Sequence, residues 1–351
     1  MPVTDLAPTD FAEHTSIRSG GAVSQWIRTD DPIAAAELIS ECADVSIPCL
    51  VVGGGTNLIC GDDAFDGSVV QLSNRGIDFE RVGDSFLVDV AAGESWDDLV
   101  AATVEAGLAA LAPLSGIPGL VGATPVQNVG AYGTDIAKVL QSVDAWDRAS
   151  RSFITLDTGE CELSYRSSVF KNEQDRYLIT SVRFSLPNNS SDAIRYEQLA
   201  NSLGIAVGDA APGAHIREHV LDLRRAKAMV LDSADHDTWS VGSFFLNPIM
   251  SAVAAQALPV DCPRYPAGEQ VKEQVKVSAA WLLEAAGVSK GWRCTPESAA
   301  RVSSRHVLAV TNSGGASTAA IIELAHEMRD RVSAAFGIEL IPEPRFVNCS
   351  W

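Results

Sequence analysis

Residues Pro113–Gly133 read PLSGIPGLVGATPVQNVGAYG. Glycine and proline recur too often in this stretch for it to continue a helix or a strand ladder. The apolar residues between them argue against disorder, and an irregular stretch of this length inside a folded protein is usually functional. Its flanks set the fold class. On the N-terminal side, DDLVAATVEAGLAAL, from Asp97 to Leu111, spaces its apolar residues as an amphipathic helix. On the C-terminal side, SVDAWDR and FITLD predict a hairpin pair, and RYLITSVRFSL predicts a strand ending before the polar run PNNSSD.

Working further outward, DPIAAAELISEC opens on an Asp-Pro pair of the kind that starts a helix. PCLVVGGGTNLI then gives a short apolar strand followed by a glycine loop, and GSVVQLS and SFLVDVAAGES read as two more strands. Beyond a boundary at Pro187–Asp192, HIREHVLDLRRAKAMV predicts a helix, VGSFFLNP a strand, VSAAWLLEAAGV a helix and HVLAVTN a strand. TAAIIELAHEMRDRVSAAFG predicts a long amphipathic helix stopped by Gly337, and IELIPEPRFV a final strand. The class is α+β, with more than one domain expected in a chain of 351 residues.

The composition, 46% hydrophobic and 20% charged, is that of a folded globular protein. With 26 Lys+Arg against 45 Asp+Glu, the formal charge of -19 repels nucleic acid and anionic lipid at long range. Anionic small molecules remain possible partners where basic residues cluster locally, as in LRRAK with Arg224, Arg225 and Lys227. The seven cysteines have no CxxC spacing, which speaks against a disulfide framework or a zinc ribbon. The acidic start lacks a signal-peptide layout and no apolar run is long enough to span a membrane. A cytoplasmic protein with reduced thiols, no bound metal and no membrane insertion is expected.

Several short motifs admit two readings. LVVGGGTNL lacks the third glycine of a dinucleotide-binding GxGxxG turn, and a strand-like run follows it instead of a helix. It can still be an anion-binding nest of backbone N–H groups, or only a tight turn. HIREH, His215–His219, matches a zinc-peptidase pattern, but no further ligand cluster supports it and a solvated helix face is the better reading. Asp235-His236-Asp237 reads as a polar turn. SYRSSVFK reads alone as an exposed strand end, and IPEPRF as an edge strand with a solvent-facing acid at Glu343.

Taken in order, GGGTNL, PLSGIPGLVGATPVQNVGAYG, YRSSVFK, GSFFLNP and IPEPRF resemble the successive motifs of the UDP-N-acetylenolpyruvoylglucosamine reductase (MurB) family. The resemblance runs from about Thr15 to about Val347. It implies a two-part FAD-binding module of the vanillyl-alcohol-oxidase (PCMH) type over 15–190, split near 73, and an α+β C-terminal substrate domain over 213–350. It also implies FAD and NADPH as cofactors, UDP-N-acetylglucosamine enolpyruvate as substrate, and a monomer.

The resemblance assigns roles residue by residue. Gly53, Gly54, Gly55, Thr56, Asn57 and Leu58 match the run that wraps the flavin pyrophosphate. Ser115, Gly116, Gly122 and Ala123, then Gln127, Asn128, Gly130, Ala131, Tyr132 and Gly133, match the loop along the flavin. Ser243 matches the proton donor, Arg166 the group facing the substrate carboxylate, and Glu343 its assistant. Tyr196 in RYEQL, Lys227, Asn247 and His306 match substrate contacts. Leu246 stands where the family commonly has lysine, which removes one cation, and Thr56 stands where serine is common and keeps the hydroxyl. A flavin oxidase or dehydrogenase with another substrate, or a silent FAD or UDP-sugar binding protein, are the competing readings.

Overall fold

The computed structural model describes residues 4–267 and 273–351. Local capping explains where its helices begin. Asp31 accepts hydrogen bonds from the N–H groups of Ile33 and Ala34, and Pro32 occupies the first helical position of Pro32–Asp44. Ser95 caps the helix Trp96–Glu105, whose first turn carries Asp97 and Asp98. Ser317 caps Thr318–Phe336, and Gly337, in the left-handed region at φ 66, ends it as expected.

The chain packs as two compact units. The first takes in the residues up to Thr9, Val23–Gly55 and Phe65–Val230. Within it, Phe65–Leu72 lies between Ala22–Thr29 and Cys49–Val52, parallel to both, with the helix Pro32–Asp44 connecting the outer two. A second, antiparallel sheet runs in the order Ser152–Asp157, Leu140–Asp147, Tyr177–Pro187, Ser85–Ala91, Ile77–Val82. Val70, Leu72, Val88, Trp96 and Phe184 share its main core. A smaller core joins the helices Glu197–Leu203 and Gly213–Ala226 through Leu199, Ile216 and Val220, and reaches Ala112.

The second unit comprises Asp10–Ala22, Thr56–Ala64 and Leu231–Trp351. Ser240–Ser243, Ala309–Asn312 and Ala300–Val302 form one antiparallel sheet, and Ile249–Ser251, Gln274–Val277 and Arg264–Pro266 another. Arg345–Val347 pairs in parallel with Leu58–Cys60. Val241, Phe244, Leu282, Leu324 and Met328 share a core of this unit.

Several sequence expectations are revised. Residues 191–230 pack with the first unit, so the compact division falls after Val230 and not at Pro187–Asp192. The helix over Asp97–Leu111 stops at Glu105, because Gly107 takes φ +81. The helix from His215 stops at Ala226, with Ala228 at φ 55 just beyond. The final strand shortens to Arg345–Val347, since Pro342 and Pro344 have no N–H to give a ladder. VGSFFLNP is regular strand only through Ser243. SYRSSVFK is no strand end: it is a turn closed by Ser164 and Ser167, then a short helix capped by Ser168. The loop from Pro113 is less irregular than its composition suggests, holding three short 3₁₀ turns and a hairpin of Gly130–Ala131 with Thr134–Asp135.

Candidate active site

In the first unit, the glycine run and the long loop meet backbone to backbone. A Cβ on Gly54 would lie 2.9 Å from the Gly119 Cα, and one on Gly53 would lie 3.1 Å from the Ala123 Cβ. A Cβ on Gly122 would reach the Ala92 Cβ at 2.6 Å. Gln71 donates to the Gly53 carbonyl at 2.7 Å, and Gly55 turns through φ 63. This close packing explains the glycines at 53, 54 and 122, and a glycine-rich turn of backbone N–H groups is of the kind that can hold a pyrophosphate, so the residue types fit the phosphate part of FAD.

The loop is anchored at both ends. Gly116, at φ +71, donates its N–H to the Asp97 carboxylate at 2.6 Å, and Arg217 binds the same carboxylate at 2.6 and 2.8 Å. Burial pushes the Asp97 carboxyl up, but the Arg217 hydrogen bonds and the Gly116 N–H outweigh it and leave it below the usual carboxylate range. The Ser115 hydroxyl is occupied with the Ala112 carbonyl at 2.7 Å. Further along, Arg166 donates to the carbonyls of Asn128 at 3.2 Å and Gly130 at 2.7 Å. Asn128, itself at φ 45 after Gln127, donates to the Ser164 carbonyl at 3.1 Å. Arg166 is therefore built into the loop of Asn128–Gly133.

The same unit brings Tyr132, Tyr196 and Lys227 into one neighbourhood. The two tyrosine rings meet edge to face at 5.6 Å, and Lys227 bonds Gln198 at 2.7 Å, two residues after Tyr196. Burial raises the Tyr132 phenol. Ala131 and Gly133 flank it in the hairpin, where a Cβ on Gly133 would meet Arg195 at 3.2 Å. Burial lowers Arg224, with Tyr132 and Asp97 opposing that shift.

In the second unit, Ser243 pairs with Ala309 across a bulge, and Gly242 takes φ +79 immediately before it. The next residues serve two neighbours: Phe244 donates to the Leu308 carbonyl at 2.8 Å and accepts from the Glu343 N–H at 2.8 Å. Leu246 donates to Ile341 at 3.0 Å. Phe244 and Phe245 are fully buried. The Arg345 N–H donates to the Asn57 carbonyl at 3.0 Å, and Leu58 is the register partner of Arg345, so Thr56–Leu58 and the Glu343 turn are one construction. Asn247 accepts the N–H of Ala279 at 3.0 Å and so holds a helix start. His306 donates its N–H to the Ser303 hydroxyl at 3.2 Å.

Two groups escape the sequence reading. Arg217 lies inside HIREH, whose exposed members are His215 and Glu218; His219 bonds Ser202 at 2.8 Å. Asp237, the end of the supposed polar turn, is buried, and burial raises its carboxyl less than the bonds from Ser304, Arg305 and Ser303 lower it. Arg224 lies in the basic cluster noted for anions. For Arg217 and Asp237 the residue type was visible, while the partners lie far along the chain. Among the described residues no group of three or more His, Cys, Asp or Glu could hold a metal, and no helix is long and apolar enough to cross a membrane. All seven cysteines are free thiols, and burial pushes Cys161 up to about 12.

A glycine-rich turn on a mixed α+β scaffold is the kind of site that takes a pyrophosphate-containing cofactor. A family model for an FAD binding domain matches residues 26–155, and one for the UDP-N-acetylenolpyruvoylglucosamine reductase C-terminal domain matches 233–347. The chain is 44% identical to the UDP-N-acetylenolpyruvoylglucosamine reductase of Saccharopolyspora erythraea over 97% of its length and 95% of that protein's. It is 45% identical to the one from Nocardia farcinica, over 95% and 87% of the two chains. The crystal structure of the Thermus caldophilus UDP-N-acetylenolpyruvylglucosamine reductase shares the fold, with a TM-score of 0.66, 21% identity and 99% of both chains covered. The chain belongs to the UDP-N-acetylenolpyruvoylglucosamine reductase family. It is an FAD-dependent oxidoreductase with the PCMH-type FAD module and an α+β C-terminal domain.

Proposed function

We propose that the chain reduces UDP-N-acetylglucosamine enolpyruvate to UDP-N-acetylmuramate with NADPH, in the cytoplasm, as a step of peptidoglycan precursor synthesis. The names of its relatives support this substrate. FAD, when bound, carries the hydride from one substrate to the other. Gly53–Leu58 and the loop from Ser115 to Gly133 are assigned to holding it.

Hydride added to the methylene carbon of the enolpyruvyl group drives charge into the adjoining carboxylate, which is already negative. Positive charge and fixed donors are needed there. Arg166 is assigned to that carboxylate, and its placement on the carbonyls of Asn128 and Gly130 fixes the guanidinium before substrate arrives. Glu343 is assigned to assist Arg166, a task for which a protonated carboxyl would serve best because only that form can donate. The neighbouring carbon then takes a proton from Ser243, which yields the lactyl ether. A hydroxyl is a weak acid, but the carbon it faces is a strong base at that moment. Tyr196, Lys227, Asn247 and His306 are assigned to the UDP-sugar.

The observation that carries the reading is the pairing of Phe244–Leu246 with 341–343, which holds the Glu343 backbone beside the residue that follows Ser243. The test is NADPH oxidation by purified, FAD-loaded protein with and without the enolpyruvyl sugar. Oxidation that needs the sugar and forms UDP-N-acetylmuramate is expected. A flavin that NADPH reduces but the sugar leaves reduced would remove the substrate assignment.

A further inference from the structure

We infer that Asp237 is a positioning residue for substrate reduction, tying the loop that carries His306 to the strand that carries Ser243. The inference rests on the roles proposed above for those two residues. One carboxylate oxygen of Asp237 accepts from the Ser303 hydroxyl at 3.0 Å, the Ser304 hydroxyl at 3.0 Å and Arg305 Nε at 3.1 Å. The other accepts from the Ser304 N–H at 3.0 Å and Arg301 Nη2 at 3.4 Å. Arg305 also pairs with Asp235.

The grip continues to both functional residues. Ser303, fully buried, turns its hydroxyl oxygen to the N–H groups of Arg305 at 3.1 Å and His306 at 3.2 Å. Ser303 donates its own N–H to Ala309 at 2.8 Å, and Ala309 is the register partner of Ser243. On the other side, Asp237 lies three residues before Ser240, the first residue of the Ser243 strand. Trp239 accepts the Asn312 N–H at 3.0 Å and stacks on His236 at 3.8 Å.

The strand needs such an anchor because its ladder is irregular. Only Ser240 with Thr311 and Ser243 with Ala309 are in register, with a shift between them. A bulge re-aims the side chain that follows it, so the direction of Ser243 depends on what holds its flanks. An amide in place of the carboxylate turns a donor towards hydroxyl, N–H and guanidinium donors, and loosens the clamp without touching substrate.

The experiment compares Asp237→Asn with the parent protein, both full-length and FAD-loaded, in rapid-mixing half-reactions. Expected are flavin reduction by NADPH within about twofold of the parent, reoxidation by the enolpyruvyl sugar slowed at least about tenfold, and a raised KM for the sugar alone. Asp147→Asn, at a second buried carboxylate held by Arg176, supplies a destabilised comparison in which no such split is expected. Should Asp237→Asn not fold, Ser303→Ala removes the relay and must show the same split. Unchanged half-reactions, or an equal loss in both, overturns the inference. A parent protein that ignores the sugar instead rejects the proposed function.

Discussion

The Glu343 N–H donates to the Phe244 carbonyl at 2.8 Å, which fixes the acid-bearing turn to the strand one residue beyond Ser243. The bond is between backbones, so removing the Ser243 hydroxyl leaves it in place. Ser243→Ala is therefore expected to keep NADPH-driven flavin reduction while reoxidation by the enolpyruvyl sugar falls about 100- to 10,000-fold, the range for a lost general acid. Stopped-flow flavin absorbance reads both steps. If the two fall together, the serine is holding structure and not giving a proton.

The glycine cradle yields a steric prediction. Gly54→Ala drives a methyl group against the Gly119 backbone at 2.9 Å, and backbone cannot swing aside as a flexible side chain can. Overpacking of this kind costs about 1–3 kcal/mol, and FAD retention is expected to fall at least about tenfold, measured by flavin fluorescence on dilution. Gly159→Ala is the control, because its Cβ would meet only the Asp157 side chain, at 3.2 Å. Equal FAD affinity in the two variants would contradict the cradle.

These two sites mark how far the sequence could be read. GGGTNL and the loop from Pro113 announced themselves because glycine and proline act locally, on their own backbone. The Asp31 cap and the Gly337 stop were legible for the same reason. Arg217 with Asp97, and Ser303 with Asp237, were not, since their partners are 120 and 66 residues apart and no local spacing encodes such a meeting. IPEPRF was read as part of an edge strand, without its two prolines being taken to shorten it. The affiliation of 191–230 with the first unit was hidden for a third reason: a polar run resembles a domain linker whether or not the chain beyond it packs back.

Acid sensitivity should centre on Asp147. Hydrogen bonds from Arg176 hold its carboxyl well below the usual range, with help from the Ala149 N–H and the Ser150 hydroxyl against burial. A carboxyl depressed in the folded state contributes stability that is fully present above its unfolded value, about 3.9, and is lost as pH falls through the folded value. Asp147→Asn is expected to lower stability at pH 7 by about 1–3 kcal/mol and to flatten the loss below about pH 4. Thermal melts from pH 7 to pH 3 check both. A variant that is as acid-labile as the parent would assign the acid response elsewhere.

Trp351 packs against the two phenylalanines that follow Ser243. Its ring lies 5.9 and 6.0 Å from Phe244 and Phe245, 4.4 Å from His326, and under the Arg329 guanidinium at 5.3 Å. Because it is only half-buried, Trp351→Ala should cost about 2–3 kcal/mol, less than full truncation of a core aromatic. Trp351→Phe should recover most of that in chemical denaturation. Equal losses in the two would point to the tail backbone and not the ring.

The Asp97–Arg217 pair makes the strongest claim on the loop assigned to FAD. Both partners are partly shielded, with side chains 33% and 20% exposed, and the bidentate geometry is fixed by the planar guanidinium. The pair differs from an ordinary surface bridge because the same Asp97 oxygen also receives the Gly116 N–H, so its state sets where the loop begins. Arg217→Lys keeps a charge but cannot fork, and Arg217→Leu leaves the partly shielded Asp97 without its guanidinium partner. FAD affinity should therefore fall in the order parent, Arg217→Lys, Arg217→Leu, with the last about 10- to 100-fold weaker, corresponding to about 1.4–2.8 kcal/mol. Reconstitution of apoprotein followed by flavin fluorescence gives the affinities. Lysine and leucine variants that bind FAD as the parent does would show that the loop start holds without the clamp, and that packing of Ala112 against Ile216 and Val220 is enough to place Gly116.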